Sequence, residues 1–97
     1  MTKWTYLLVH DVTAATPAKM QQIIDSMPSV DHWFRCLPLS FLLVSSLTAE
    51  QLTAVIRKRT GNKGRFLIVD TSTDRNGWMP PEAWNIMQNP DEYAKKS

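Results

Sequence analysis

Ninety-seven residues suit one domain and leave no room for a second independent core. With 43% apolar and 21% charged residues the chain reads as globular, not disordered, and four Trp, three Phe and two Tyr give it much apolar area to bury. A formal net charge of +2 is too small for a strong non-specific nucleic-acid binder, and a single cysteine, Cys36, excludes an intrachain disulfide and any cysteine-rich zinc site.

Trp4 to Asp11 is the first strand. It is rich in aromatic and branched side chains and apolar on both faces, as a central strand covered above and below should be. Thr16-Pro17 reads as an N-cap followed by proline at the first helical position. Met20, Ile23, Ile24 and Met27 then form one apolar helical stripe, which Pro28 ends. A second strand runs from about Val30 to Leu37. Simple alternation puts His32, Phe34 and Cys36 on one face and Trp33, Arg35 and Leu37 on the other. A short break at Pro38 leads into a third strand, Phe41 to Ser45, again apolar on both faces; so short a connection favours an antiparallel hairpin.

Thr48 and Gln51 have the spacing of a capping box, and Leu47 and Leu52 that of a hydrophobic staple. They predict a second helix buried through Leu52, Val55 and Ile56, with cations favourably placed at its end and Gly61-Asn62 terminating it. Arg65 to Thr71 is the fourth strand. Pro81, Glu82 and Ala83 open a short helix carrying Trp84 and Met87, and Asn89-Pro90 closes it. The expected organisation is one domain over residues 1–90 and a polar, fraying tail over 91–97. No apolar run is long enough for a signal-peptide core or a bilayer span, so no membrane partner and a cytoplasmic location are expected.

Strand, helix, strand, strand, helix, strand predicts an α+β, ferredoxin-like βαββαβ fold: a four-stranded antiparallel sheet, two helices on one face, and a short C-terminal Trp-bearing segment. Both sheet faces are apolar, so something other than these two helices must cover the second one. The candidates are the Trp78 to Met87 segment, a second subunit, or both. A homodimer formed through the sheet is the leading expectation, with Trp4, Tyr6, Trp33, Trp78 and Trp84 as interface or lid residues.

Chemistry is sparser. Asp11 ends a central strand beside a loop and is the one candidate catalytic and metal-binding residue; the plainer reading is a loop cap. His10 and His32 have no nucleophile motif around them and read as structural, and Cys36 reads as a buried, inert thiol. Arg57, Lys58, Arg59, Lys63 and Arg65 form a basic run that suits a phosphate backbone, with Trp33 or Phe34 available for stacking, or else a solvated helix end. Trp78 and Trp84, flanking Pro80-Pro81, suit a packed lid or the lip of a small-molecule site.

Tyr6-Leu7-Leu8-Val9-His10-Asp11-Val12, the short helix, the strand pair, Leu47-Thr48-Ala49-Glu50-Gln51-Leu52 and the last strand together resemble the small CRISPR-associated ferredoxin-like nuclease family. The chain is more similar still to SinR-labelled bacterial relatives that add a Gly-Trp segment and a Trp-bearing helix, matched here by Gly77-Trp78 and Glu82-Ala83-Trp84. The resemblance covers roughly residues 4 to 88. It implies dimers formed through the sheets, a metal-binding role for Asp11, and nucleic-acid binding that is often architectural. Where the family often carries an arginine pair soon after the aspartate, this chain has Thr13-Ala14-Ala15-Thr16, which counts against nuclease activity and DNA docking. Two functions are therefore expected in order: a non-catalytic dimeric module binding a protein or nucleic-acid partner, with no cofactor; and a metal-dependent phosphodiesterase in which Asp11 from each subunit holds magnesium or manganese.

Overall fold

The computed structural model describes residues 2–94. Its elements follow in the order β1 (Trp4–His10), α1 (Pro17–Asp25), β2 (Val30–Leu37), β3 (Ser40–Ser45), α2 (Ala49–Arg59), β4 (Phe66–Asp70) and α3 (Pro81–Gln88), with a final 3₁₀ turn at Pro90–Tyr93. The four strands form one sheet in the order β2-β3-β1-β4, every neighbouring pair antiparallel. The fold is α+β with ferredoxin-like topology, as the element order predicts.

Local chemistry starts the helices where the sequence signals lie. The Thr16 hydroxyl accepts the Lys19 amide ahead of Pro17, and α1 buries Met20, Ile23 and Ile24. Both halves of the α2 capping box form: the Thr48 hydroxyl accepts the Gln51 amide at 3.2 Å and the Gln51 side chain accepts the Thr48 amide at 2.9 Å. After Thr60, the Gly61 amide bonds the Lys58 carbonyl and the Asn62 amide bonds the Arg57 carbonyl. This pattern needs left-handed backbone at Gly61 (φ 69°), where glycine carries no steric penalty.

One face of the sheet carries α1 and α2. Tyr6 and Leu8 of β1 and Phe41 and Leu43 of β3 meet Met20, Ile24, Leu52 and Ile56 there, with Phe66 and Ile68 of β4 packed at the margin. Tyr6 was expected at an interface or lid; it is instead a core residue whose hydroxyl donates to the Leu47 carbonyl at 2.7 Å. Trp4 and Trp33 also belong to this side, by their register with Ser45 and Leu43. Trp33 packs on the core, edge-on to Phe41, and donates its indole N–H to Asp25 at 3.2 Å.

The opposite face is covered over one half. There α3 packs against β3, with Ala83 and Ile86 wholly buried, and Leu42, Val44 and Thr5 are sealed from solvent. The chain past Asn89 is docked too, against the expectation of a fraying tail from Asp91. The Tyr93 ring lies 4.9 Å from that of His32, and the Lys3 amide donates to Asp91. Lys3 itself forms a 2.6 Å ion pair with Asp31, so both chain segments are tied to the start of β2. Residues 95–97 of the expected tail lie outside the described residues. Strict alternation along β2 fails at its end: a register shift between Arg35 and Leu37 turns Leu37 onto the α3 side, away from Trp33 and Arg35. No helix is long and apolar enough to cross a membrane among the described residues.

Candidate functional site

Asp11 follows the last residue of β1, and the loop beyond it turns back over β4. Its Oδ1 accepts the Ala14 amide at 2.8 Å and the Arg65 amide at 3.3 Å. The Asp11 amide donates to the Arg65 carbonyl at 3.0 Å, so this one residue clamps the β1–α1 loop to the start of β4. Gly64 makes the clamp possible. Its φ is 70°, and a β-carbon there would overlap the Ala14 backbone and come within 2.6 Å of Asp11 Oδ1. The Ala14 amide holds the Asp11 carboxyl below the ordinary carboxylate range, with the Arg65 amide and the Arg65 charge acting in the same direction.

Within one chain, Asp11 brings a single carboxylate to this position, with Oδ1 engaged by backbone amides. Divalent cations such as magnesium want several oxygen ligands, and the Arg65 charge acts on the same carboxyl. Among the described residues no group of three or more His, Cys, Asp or Glu side chains is placed to hold a metal ion. The loop-cap reading of Asp11 accounts for the hydrogen bonds of Oδ1.

His10 points to the helix side. It is buried, stacked on Phe41 at 6.0 Å, with Nδ1 2.9 Å from the Asp11 carbonyl. A carbonyl only accepts, so Nδ1 is the donor there, and Nε2 is buried with no hydrogen-bond partner among the described residues. His10 and Asp11 share backbone contact and no proton path between side chains. His32 lies under Tyr93 on the other face. The half-buried Cys36 thiol has its pKa pushed up by desolvation, which keeps it in the unreactive form.

The basic run divides. Arg57, Lys63 and Arg65 line one groove of about 450 Å³ between the end of α2 and the start of β4, with Phe66 at its wall. Arg59 turns away and donates to the Ser26 hydroxyl at 2.8 Å, beyond the end of α1. Lys58 is exposed and does not line the groove. Five cations adjacent in sequence thus become a cluster of three, because a helix sends residues 57, 58 and 59 in directions about 100° apart.

Trp78 and Trp84 also come together, on the α3 side. They flank a groove of about 360 Å³ whose floor is Leu7, Leu42 and Val69 and whose far wall is Leu37. Arg75, which sequence reasoning did not single out, stands at this groove with its guanidinium donating to the Thr71 carbonyl at 3.0 Å. Nothing in the spacing of the loop Asp74-Arg75-Asn76-Gly77 signals that it folds back over the sheet. Of the five aromatic residues expected at an interface or lid, only Trp78 and Trp84 therefore face the partly covered side. Compared with models of known families, with curated proteins and with solved structures, the chain finds no significant match.

Proposed function

We propose that this chain is a non-catalytic ferredoxin-like module that works as a homodimer and offers a binding surface to a partner. The observation carrying this reading is the uncovered half of the sheet. Val9 (39% exposed), Leu67 (61%) and Val69 (43%) form one apolar row with Leu7, by the pairings Val9 with Leu67 and Leu7 with Val69. Leu37 (54%) and the fully exposed Trp78 (100%) extend it. Soluble monomers seldom leave so continuous an apolar surface open. The resemblance of Tyr6 to Val12 and of the Leu47 to Leu52 segment to dimeric CRISPR-associated proteins supports the same reading.

Light scattering at micromolar concentration tests it. The expected mass is that of two chains, and Val69→Lys, which places a charge in the row without touching the core, should return the protein to a folded monomer. A wild-type monomer at that concentration would overturn the reading.

The groove of Arg57, Lys63 and Arg65 favours a nucleic acid as the partner, since three cations beside an aromatic ring match a phosphate backbone with a stacked base. Filter binding to single- and double-stranded RNA and DNA should show affinity that falls with salt; affinity insensitive to salt would reduce the groove to a solvated helix end. The phosphodiesterase alternative draws no support from the Asp11 geometry. Cleavage that requires magnesium or manganese and disappears in Asp11→Ala would reinstate it.

A further inference from the structure

We propose that two copies of this chain join edge to edge through β4, antiparallel about a two-fold axis at Ile68, making one continuous sheet from two four-stranded ones. The inference rests on the homodimeric reading above and specifies how the dimer is built.

β4 pairs with β1 along one side only. On that side the Thr71 amide donates to the Thr5 carbonyl and the Arg65 carbonyl accepts the Asp11 amide. Along an antiparallel strand, alternate residues turn both backbone groups to the same side. Residues 65, 67, 69 and 71 therefore face β1, while Phe66, Ile68 and Asp70 turn their N–H and C=O outward. None of those outward backbone groups has a backbone partner among the described residues.

The two edges of the sheet are treated differently. β2, the other edge, carries two register shifts and the charges of Asp31 and Arg35 within the strand. Irregularity and charge along the strand are devices by which sheets prevent pairing with another chain. β4 has a helix, α2, on one face as β2 has, but its register with β1 is even, and Phe66 to Val69 contains no charge and no proline.

Charge and shape select a second copy as the occupant. The β4 edge is basic just before its start, with Lys63 and Arg65, and acidic at its last residue and beyond, with Asp70 and Asp74. An antiparallel copy brings each basic start to the partner's acidic end, which is self-complementary under a two-fold axis. Full overlap of the five-residue strands sets Ile68 opposite its own copy, where the outward groups exchange hydrogen bonds. Leu67 then lies opposite the partner's Val69 in a non-hydrogen-bonded pair, at a Cα separation of about 4.5 Å. These exposed side chains pack on each other across the junction. Because each chain has one undefended edge, the pairing closes at two and does not propagate as a fibre.

Amide hydrogen exchange on the wild-type protein, compared above and below the concentration at which light scattering detects the dimer, tests the edge directly. The amides of Phe66, Ile68 and Asp70 should slow at least ten-fold in the dimer. Disulfide trapping gives an independent measurement: in a Cys36→Ser background, a mixture of Leu67→Cys and Val69→Cys chains should cross-link on mild oxidation, while either variant alone should not. Both positions point away from the helix-side core, so the variants should fold. A dimer whose β4 amides gain no protection, or in which single variants cross-link as well as the mixture, overturns edge pairing and leaves the dimer itself standing. A monomer in both measurements overturns the two together.

Discussion

Asp11 ties the β1–α1 loop to the start of β4 through the two backbone amides its Oδ1 accepts, the loop cap that its place after β1 suggested. Its folded-state pKa is lowered, chiefly by the Ala14 amide, so its contribution to stability is complete above the ordinary carboxylate range and is lost as pH falls through that lowered value. Asp11→Asn keeps an acceptor and removes the charge. Denaturation midpoints measured from pH 7 down to pH 2 should show wild type ahead of Asp11→Asn at neutral pH, with the gap closing in acid; a constant gap would contradict the assignment. Gly64 is bound to the same clamp. Gly64→Ala should destabilise by about 2–4 kcal/mol through a left-handed backbone and overlap with the Ala14 main chain, whereas Gly61→Ala, left-handed but in open space, should cost about 1 kcal/mol. Urea unfolding of the two variants checks the contrast. What separates the two glycines is the approach of a loop more than forty residues away from Gly64.

The elements whose signals are local were readable in advance. Thr48 and Gln51 sit in the first turn of α2, and the two hydrogen bonds they exchange stay within that turn. Thr48→Ala should therefore cost about 1 kcal/mol in urea unfolding, with the fold unchanged. The faces of β2 were less readable. Period-two alternation put Leu37 with Trp33, and the irregularity between Arg35 and Leu37 reversed it; a bulge depends on how the strand meets β3, not on its own composition. For α3 the Pro81 start and the Trp84–Met87 content were evident, but the surface it covers was not. Since Ile86 is fully buried against the second face, Ile86→Ala should cost about 2–5 kcal/mol, with loss of cooperativity in the melt if the cavity loosens α3.

At the scale of the molecule, the sheet is a two-sided surface with unequal cover. The helix side is closed by α1 and α2. The other side is closed by α3 and the 3₁₀ turn over Thr5, Val44 and His32, and open over Val9, Leu67 and Val69. That asymmetry narrows the general question of what covers the second face to the part of it formed by β1 and β4. The basic groove lies on the same flank, at the start of that strand. Under the nucleic-acid reading, Arg57→Ala, Lys63→Ala and Arg65→Ala should each weaken binding and reduce the slope of log affinity against log salt by about 1, while Arg59→Ala, whose side chain is engaged with Ser26, should change neither. Equal losses at all four positions would mean that the groove has no special role.

Composition, periodicity and caps determined the element order, and with it the α+β ferredoxin-like topology, because each of those signals acts over a few neighbouring residues and short connections permit few arrangements. The sequence also determined that both sheet faces are apolar, since that follows from the strands themselves. Only the tertiary structure decided that Tyr6 is core, that Asp11 is spent on backbone amides, that three of five cations share a groove, and that α3 covers half of a face. Each of these depends on which distant segments come to rest against each other, and burial and hydrogen bonding are properties of that meeting, not of either segment alone.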